Sequence, residues 1–493
     1  MDTIAEEEKP LPTPVAQPET KPSFAFKRRV AWGFVLGGIG ALSFPPHPFP
    51  LLLPIVLTGL FVLLQNMTPR RAAYIGQAFG TMLAACALRW LWDMFGPAAL
   101  SLWAIIGAFT AVTCALTVWL RARRLLSRMP FPLLLAVVWT GIEYFRSEPM
   151  VLNFGWLGVG YPLIDSPLAA RIAGAIGSYG ISFLVVAGCA YAAMGRNPRL
   201  IALRLIPLLL LLLPFPRPLA APDPAHAFPV RLVQANSEDD ETLFLLSRSP
   251  ADTAPQLLVW PELSFYSDPR PNDKQWKPGR DPHEKGWEKL RGLAQQSHVY
   301  FLFGAHDESE ATNDADFRNT AFLLNPQGDL IGKHVKNHTV HFMKEGLAGT
   351  DAHVFPTPFG SFGVGICFDM DYPDVARRLV NNGAESLIVP SNNPLNWGPV
   401  QHAQHKQVFQ MRAAECDRWL ATADIAGNTF LVAPTGQIAR SVPNADPATL
   451  DISVGRLPTR NLFVRGGWRF GQCCLALLVF GCLWAFMARR VSV

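Results

Sequence analysis

The chain has 493 residues, half of them hydrophobic and only 16% charged, with 14 Trp, 32 Phe, 43 Pro and a mean hydropathy of +0.18. That composition excludes an ordinary soluble enzyme and a disordered chain. The net charge of +5 is unevenly placed, because residues 1–223 hold 18 Lys and Arg against 10 Asp and Glu while the remainder hold 25 against 28, so the basic excess lies between apolar segments, as short membrane loops require, and marks no nucleic-acid surface.

Residues 1–28 are rich in Pro, Glu and Thr and run into Lys27, Arg28 and Arg29, a composition that cannot bury a core and is expected to form a flexible cytoplasmic tail. Residues 29–217 are expected to hold seven membrane helices, near 30–45, 51–66, 72–92, 98–120, 130–145, 167–194 and 200–215, with an eighth near 468–488. Alternate connections carry the cations: Arg28 and Arg29, Arg70 and Arg71, Arg121 to Arg128, Arg196 and Arg199, then Arg489 and Arg490. The intervening connections are Pro- and aromatic-rich, so the positive-inside rule puts the long segment between the seventh and eighth spans on the non-cytoplasmic side. Trp90, Trp92 and Trp119 read as an interfacial belt, Glu143 and Arg146 as a structural pair at a helix end, and Arg89 as a snorkelling side chain.

Six of the eight Cys lie in apolar stretches, leaving Cys367 and Cys416 in the polar segment, and no disulfide framework or Cys-x-x-Cys spacing is present. That polar segment, 225–462, alternates strand and helix signals. Strands are predicted at Val230–Ala235, Gln256–Trp260, Val299–Phe303, Thr320–Leu324, Phe362–Cys367 and Ser386–Val389. Helices are predicted at Asp374–Val380 and Gln401–Leu420, and turns at Asn325–Gly328 and Pro434–Gly436. The stretch between Gln234 and Gln256 is short for a helix-bearing connection.

Three features in this segment carry chemistry. Trp260-Pro261-Glu262 sets a carboxylate just beyond a buried strand, where Pro ends the ladder, although a solvated turn Glu has the same appearance. Lys333-His334-Val335-Lys336-Asn337-His338 is a basic loop after a predicted hairpin, by itself an ordinary solvated charge run. Gly365-Ile366-Cys367-Phe368-Asp369 puts a thiol at a strand end, where Cys is commonly small apolar filler, but a following helix start would favour the thiolate.

In their order and spacing, Glu262, Lys336 and Cys367 resemble the nitrilase, or carbon-nitrogen hydrolase, superfamily, over most of residues 230–440. The resemblance implies an αββα sandwich with a Glu/Lys/Cys triad. Asn381-Asn382-Gly383-Ala384 before Leu387 to Asn393, and Met411-Arg412-Ala413-Ala414-Glu415 on the long helix, extend it. With seven spans before and one after, the whole chain resembles the apolipoprotein N-acyltransferase family, which implies a multi-span α-helical membrane bundle of about eight helices with the α/β nitrilase-like sandwich inserted. The implied setting is the bacterial inner membrane, with the catalytic domain on the periplasmic side and a monomer as the unit.

The implied reaction moves an acyl chain from a membrane glycerophospholipid to the α-amine of a diacylglyceryl apolipoprotein through a thioester on Cys367. Glu262 is the implied base and Lys336 the implied oxyanion partner, and Glu345 is a second carboxylate in a shifted setting, Phe342-Met343-Lys344-Glu345. Phe368-Asp369 and Ser391-Asn392-Asn393 depart from the transferase pattern, and Cys367-Phe368-Asp369 with Tyr372-Pro373 is closer to soluble amidases. A membrane-tethered amidase and a non-catalytic docking protein for lipoproteins therefore stand beside the transferase reading. No metal cluster, phosphate loop or dinucleotide fingerprint appears, so no cofactor is implied. The Pro- and Gly-rich parts of 264–283 and 394–399 are expected to cover the pocket.

Overall fold

The computed structural model describes residues 24–487 except 48, 124–128, 216–217, 219–220, 237–239, 249, 251–253, 266–267, 269, 271–281, 310–316, 342 and 444. The part of the tail before Phe24, and most of the 264–283 cover, therefore lie outside the described residues.

The apolar N-terminal part folds into α1 (Phe24–Ala41), α2 (Leu52–Leu63), α3 (Pro69–Ala87), α4 (Trp90–Phe95), α5 (Ala98–Arg121), α6 (Phe131–Ser147), α7 (Pro167–Ala193) and α8 (Pro198–Leu211). Helix α1 begins inside the stretch expected to be tail, because Phe24 and Phe26 precede the Lys27–Arg29 run and Phe26 packs edge-on against Tyr74. By length and apolar composition, three of the described helical segments could cross a bilayer: Ala98–Arg121, Pro167–Ala193 and Gly467–Met487. The 12 residues of α2 and the 14 of α8 rise only about 18 and 21 Å, short of the roughly 30 Å hydrocarbon core.

The segment read as one span over 72–92 is broken at Leu88, where φ is −106° and ψ 41°. The last carbonyl of α3, on Ala87, accepts a hydrogen bond from Gln404 Nε2 at 2.8 Å, and Trp90 Nε1 donates to Gln404 Oε1 at 3.1 Å. A side chain from the globular part thus caps the helix and turns α4 beneath it. Helix α7 is kinked at Ile176 and Gly177. Gly177 has φ +75°, and a Cβ there would sit 2.8 Å from the Phe463 ring, so a side chain is excluded. The N–H of Ser178, freed at the kink, donates to Glu415 Oε1 at 2.7 Å.

The globular part contains β1 (Ala227–Gln234), α9 (Asp240–Ser247), β2 (Leu257–Val259), α10 (Pro282–Ser297), β3 (Tyr300–Asp307), β4 (Arg318–Leu324) and β5 (Leu330–Val335). It continues with β6 (Val354–Thr357), β7 (Gly360–Val364), α11 (Pro373–Asn381), β8 (Ser386–Ser391), α12 (Gly398–Cys416), β9 (Leu420–Asp424), β10 (Phe430–Val432), β11 (Ile438–Ser441) and β12 (Ala448–Gly455). Two six-stranded sheets result, ordered β12-β1-β2-β3-β4-β5 and β11-β10-β9-β8-β7-β6. Short helix α13 (Leu462–Arg465) and the long α14 (Phe470–Met487) follow.

Alternation along the strands explains the layers. On β3, Leu302 points between the sheets toward Val230, Val259, Val364 and Ile388, while Phe301 and Phe303 point outward to α9 and α10 through Leu243, Leu290 and Leu293. The outer face of the second sheet, Leu387, Val389, Leu420 and Phe430, meets Val375, Leu379, Val408 and Phe409 of α11 and α12. This is the expected αββα sandwich, and its α11–α12 layer joins one continuous core with α2 and α7. The short 234–256 connection still holds a helix, the two-turn α9.

Two predicted elements overran. The long helix stops at Cys416, because Asp417 turns left-handed at φ +52° and Arg418 sends its Nε to the Ala384 carbonyl at 2.9 Å, which frees Leu420 to start β9. The strand before Cys367 stops at Val364; Cys367 itself, at φ +44°, opens a 3-10 turn.

Candidate active site

Glu262, Lys336 and Cys367 each follow a strand end. Glu262 lies three residues beyond β2, Lys336 one beyond β5, and Cys367 three beyond β7. Strands β2 and β7 have parallel partners, and the backbone leaving a parallel strand has no ladder to join, which is how open α/β sheets gather reactive groups at their strand ends. The loop carrying Glu262 lies directly on β3: a Cβ on Gly304 would be 2.7 Å from the Glu262 Cα. Lys336 is delivered by the β4–β5 hairpin, whose turn is closed by Asn325 Oδ1 accepting from the N–H groups of Gln327 and Asp329, both at 2.9 Å.

Glu262 and Lys336 are buried, at 2% and 1% exposure. Lys336 Nζ donates to Glu262 Oε1 at 2.7 Å and to Glu345 Oε2 at 2.8 Å, and Glu345 Oε2 also accepts from the Val340 N–H at 2.9 Å. Glu345, which the local pattern shifted, thus joins the same cluster. Burial works against the Lys336 charge, but Glu262, Glu345 and Cys367 together hold the ammonium well above its ordinary value. Burial raises Glu262, opposed by Lys336 and reinforced by Glu345. A carboxylate of raised proton affinity beside a fixed ammonium is suited to receive a proton.

Cys367 is buried, and its thiol is pushed well up by desolvation and by Glu262, against Lys336 and the Asn392 N–H that bonds it. The helix start expected directly after the thiol is displaced along the chain. Helix α11 begins only at Pro373, after the 3-10 turn Cys367–Asp371, so its positive end does not face the sulfur.

Sequence reasoning missed three supports. Asn319 donates to Glu262 Oε1 at 2.7 Å. Asp369 accepts from the N–H groups of Ile366, Asn337 and His338 at 2.9, 2.9 and 2.8 Å, tying the lysine loop to the cysteine loop. Asp371 accepts from Trp156 Nε1 and faces His405 Nε2 at 3.2 Å. Only the carboxylate two residues after Cys367 had any sequence signal; Asn319, Trp156 and His405 arrive from remote elements.

Cys367 opens onto an apolar cavity of about 130 Å³. Its walls include Trp90, Leu102, Ile106 and Phe109 of α4 and α5, Phe154 and Trp156 of the loop after α6, and Phe368 and Trp397. Trp397 belongs to the 394–399 cover. Trp90, read as a belt residue, is instead buried and packs on Trp156 with ring centroids 4.9 Å apart. Glu143 and Arg146 do not bond each other: Glu143 accepts from Ser182 Oγ at 2.6 Å and the Val159 N–H at 3.3 Å, and Arg146 Nη1 donates to the Trp156 carbonyl at 2.8 Å. Among the described residues no cluster of His, Cys, Asp and Glu could hold a metal ion.

Facing sheets with an acid, an amine and a thiol at their strand ends define a carbon-nitrogen hydrolase domain, and residues 230–458 match the carbon-nitrogen hydrolase family. Residues 36–191 match the N-terminal domain of apolipoprotein N-acyltransferase. The chain belongs to the apolipoprotein N-acyltransferase family. It is 26% identical to an apolipoprotein N-acyltransferase of Geobacter metallireducens, with 92% of this chain and 94% of that one covered. With one of Pseudomonas putida it shares 27% identity over 92% of this chain and 96% of the relative. Among solved structures, Nit3 of Saccharomyces cerevisiae, a member of branch 10 of the nitrilase superfamily, matches with a TM-score of 0.38 and 22% identity, covering 47% of this chain and 90% of Nit3.

Proposed function

We propose that the chain is a membrane acyltransferase that moves an acyl group from a glycerophospholipid to the α-amine of the S-diacylglyceryl cysteine of apolipoproteins. The observation that carries this reading is the apolar cavity: its walls come from the helical part, and Cys367 lies on it. Small polar amides have no use for a wall of Leu102, Ile106 and Phe109, whereas an acyl chain is matched by one. The names of the relatives over most of both chains support the same reaction.

Glu262 takes the Cys367 proton as the sulfur attacks the ester carbonyl of the donor, and Lys336 and the Asn392 N–H stabilise the oxyanion. Collapse breaks the C–O bond; the proton on Glu262 passes to the departing lysophospholipid oxygen and a thioester remains. The acceptor amine, once neutral, attacks the thioester carbonyl. The C–S bond breaks, and the amine proton reaches the sulfur through Glu262. Two half-reactions sharing one cavity give ping-pong kinetics.

The setting follows from the same reading. Both substrates keep lipid tails in the bilayer, so the helical part is a multi-pass inner-membrane bundle of about eight helices, and the sandwich of 225–462 stands on its periplasmic face. Outward side chains of α8 and α14, such as Leu203 at 67% and Phe480 at 61% exposure, suit contact with lipid. Mass spectrometry of the Cys367 peptide after incubation with phospholipid vesicles is expected to show a mass gain of one acyl group. Full acyltransfer by Cys367→Ala would overturn the proposal.

A further inference from the structure

The nucleophile turn and the strand end that supplies its N–H donor are separate pieces of chain, joined by one imidazole. Asp371 ends the turn that Cys367 begins. Asn392, whose N–H bonds the Cys367 sulfur, and Asn393 follow β8. His405, on α12 and 2% exposed, reaches both: Nδ1 lies 2.8 Å from Asn393 Oδ1, and Nε2 lies 3.2 Å from Asp371 Oδ1.

The polarity of this bridge is fixed by its surroundings. Asp424 accepts from the Asn393 N–H at 2.8 Å and from Asn393 Nδ2 at 3.1 Å, so the Asn393 amide turns its oxygen toward His405. Gln401 Nε2 donates to that same oxygen at 3.0 Å. Both ring nitrogens of His405 therefore face acceptors, an amide oxygen on one side and a carboxylate on the other. The second contact is off the line of an ideal hydrogen bond. The other Asp371 oxygen takes the Trp156 indole N–H, and the imidazole stacks on that indole at 5.9 Å and 18°. Trp156 and His405 both face the cavity that holds Cys367.

We propose that His405, clamped between Asp371 and Asn393, is a positioning residue that sets the Cys367 turn against the Asn392 N–H. This rests on Cys367 being the nucleophile, as proposed above. A sulfur and its donor carried on separate loops otherwise drift relative to each other, and a misplacement of about 1 Å costs on the order of a hundredfold in rate. The ring held between the two loops answers this without touching the substrate carbonyl. It also couples the bond to the cavity wall, because Trp156 is part of the same chain of contacts.

The test uses the full chain in detergent with His405→Ala, Asp371→Asn and the double variant. One readout is the rate of thioester formation on Cys367 from palmitoyl-chain phospholipid. The other is the rate of Cys367 alkylation by iodoacetamide, followed on its peptide, which needs no lipid. Expected are a roughly 10- to 100-fold fall in the acylation kcat with donor KM within about twofold, and a parallel fall in alkylation. The double variant is expected to be no slower than the worse single one, since both changes break one bridge. Unchanged rates in both single variants, losses that multiply in the double variant, or a loss confined to KM would each overturn the proposal. Asp371→Asn keeps size and shape, so it decides the matter if His405→Ala does not fold. A wild-type chain that forms no thioester would remove the acyl-transfer reading, and the alkylation rates would still decide the bridge.

Discussion

The ammonium of Lys336 is shared: Glu345 takes one of its protons at 2.8 Å while Glu262 takes another at 2.7 Å. Glu345 is thereby a tuner of Glu262, since its charge raises the Glu262 carboxyl while Lys336 lowers it. Removing that charge makes Glu262 a weaker base. Glu345→Gln is expected to slow acyl-enzyme formation by about 10- to 100-fold. The sign of the pH effect is defined. Glu262 is raised above 4.5, so the wild-type rate falls as pH drops through a value above 4.5, and in Glu345→Gln that acid limb moves to lower pH. Single-turnover acylation across pH checks it; an unmoved limb would contradict the tuning.

The cavity is walled in part by α5. Ile106 and Leu102 line it, so Ile106→Trp fills part of the volume. Donors with long acyl chains are expected to lose about tenfold or more in kcat/KM, while short-chain donors lose at most about twofold. A chain-length series in mixed micelles measures the ratio. An equal loss for every chain length would place the acyl chain elsewhere.

The kink in α7 predicts a stability effect remote from the chemistry. Gly177→Ala forces a side chain into a left-handed backbone and against Phe463, and it is expected to cost about 1–3 kcal/mol. Thermal unfolding in detergent should show the lower midpoint, and a midpoint at or above that of the parent chain would refute the account.

Asp307 anchors the end of β3 through Lys333 at 2.5 Å and Arg270 at 2.5 Å. Burial opposes its charge, but Lys333, Ser309 and Arg270 bring the carboxyl down to about 2. A depressed acid stabilises the fold above its unfolded value near 3.9, and that contribution is lost as pH falls through about 2. Asp307→Asn is expected to lower stability by about 1–2 kcal/mol near neutral pH, and the gap to the parent chain should close in acid. Denaturant titrations at pH 7 and in acid decide this.

The strands of the sandwich, the order Glu262, Lys336, Cys367 and the apolar helices are legible in the sequence because each rests on local periodicity or on residues adjacent in the chain. The breaks were harder to see. The end of α3 depends on Gln404, more than 300 positions away, and the end of α12 depends on Arg418 turning to Ala384. No window of neighbouring residues contains those partners.

By itself the sequence determined the two kinds of material in this chain, apolar helix and alternating α/β, and which side chains could act as acid, amine and thiol. Only the tertiary structure decided that Glu345 shares Lys336 with Glu262, that burial and Glu262 push the Cys367 thiol up, and that Trp90, Trp156 and His405 wall one cavity with it. The reason is physical. Hydrophobic pattern is a property of neighbouring residues, whereas proton affinity and hydrogen-bond partnership depend on what burial brings within about 3 Å from distant parts of the chain.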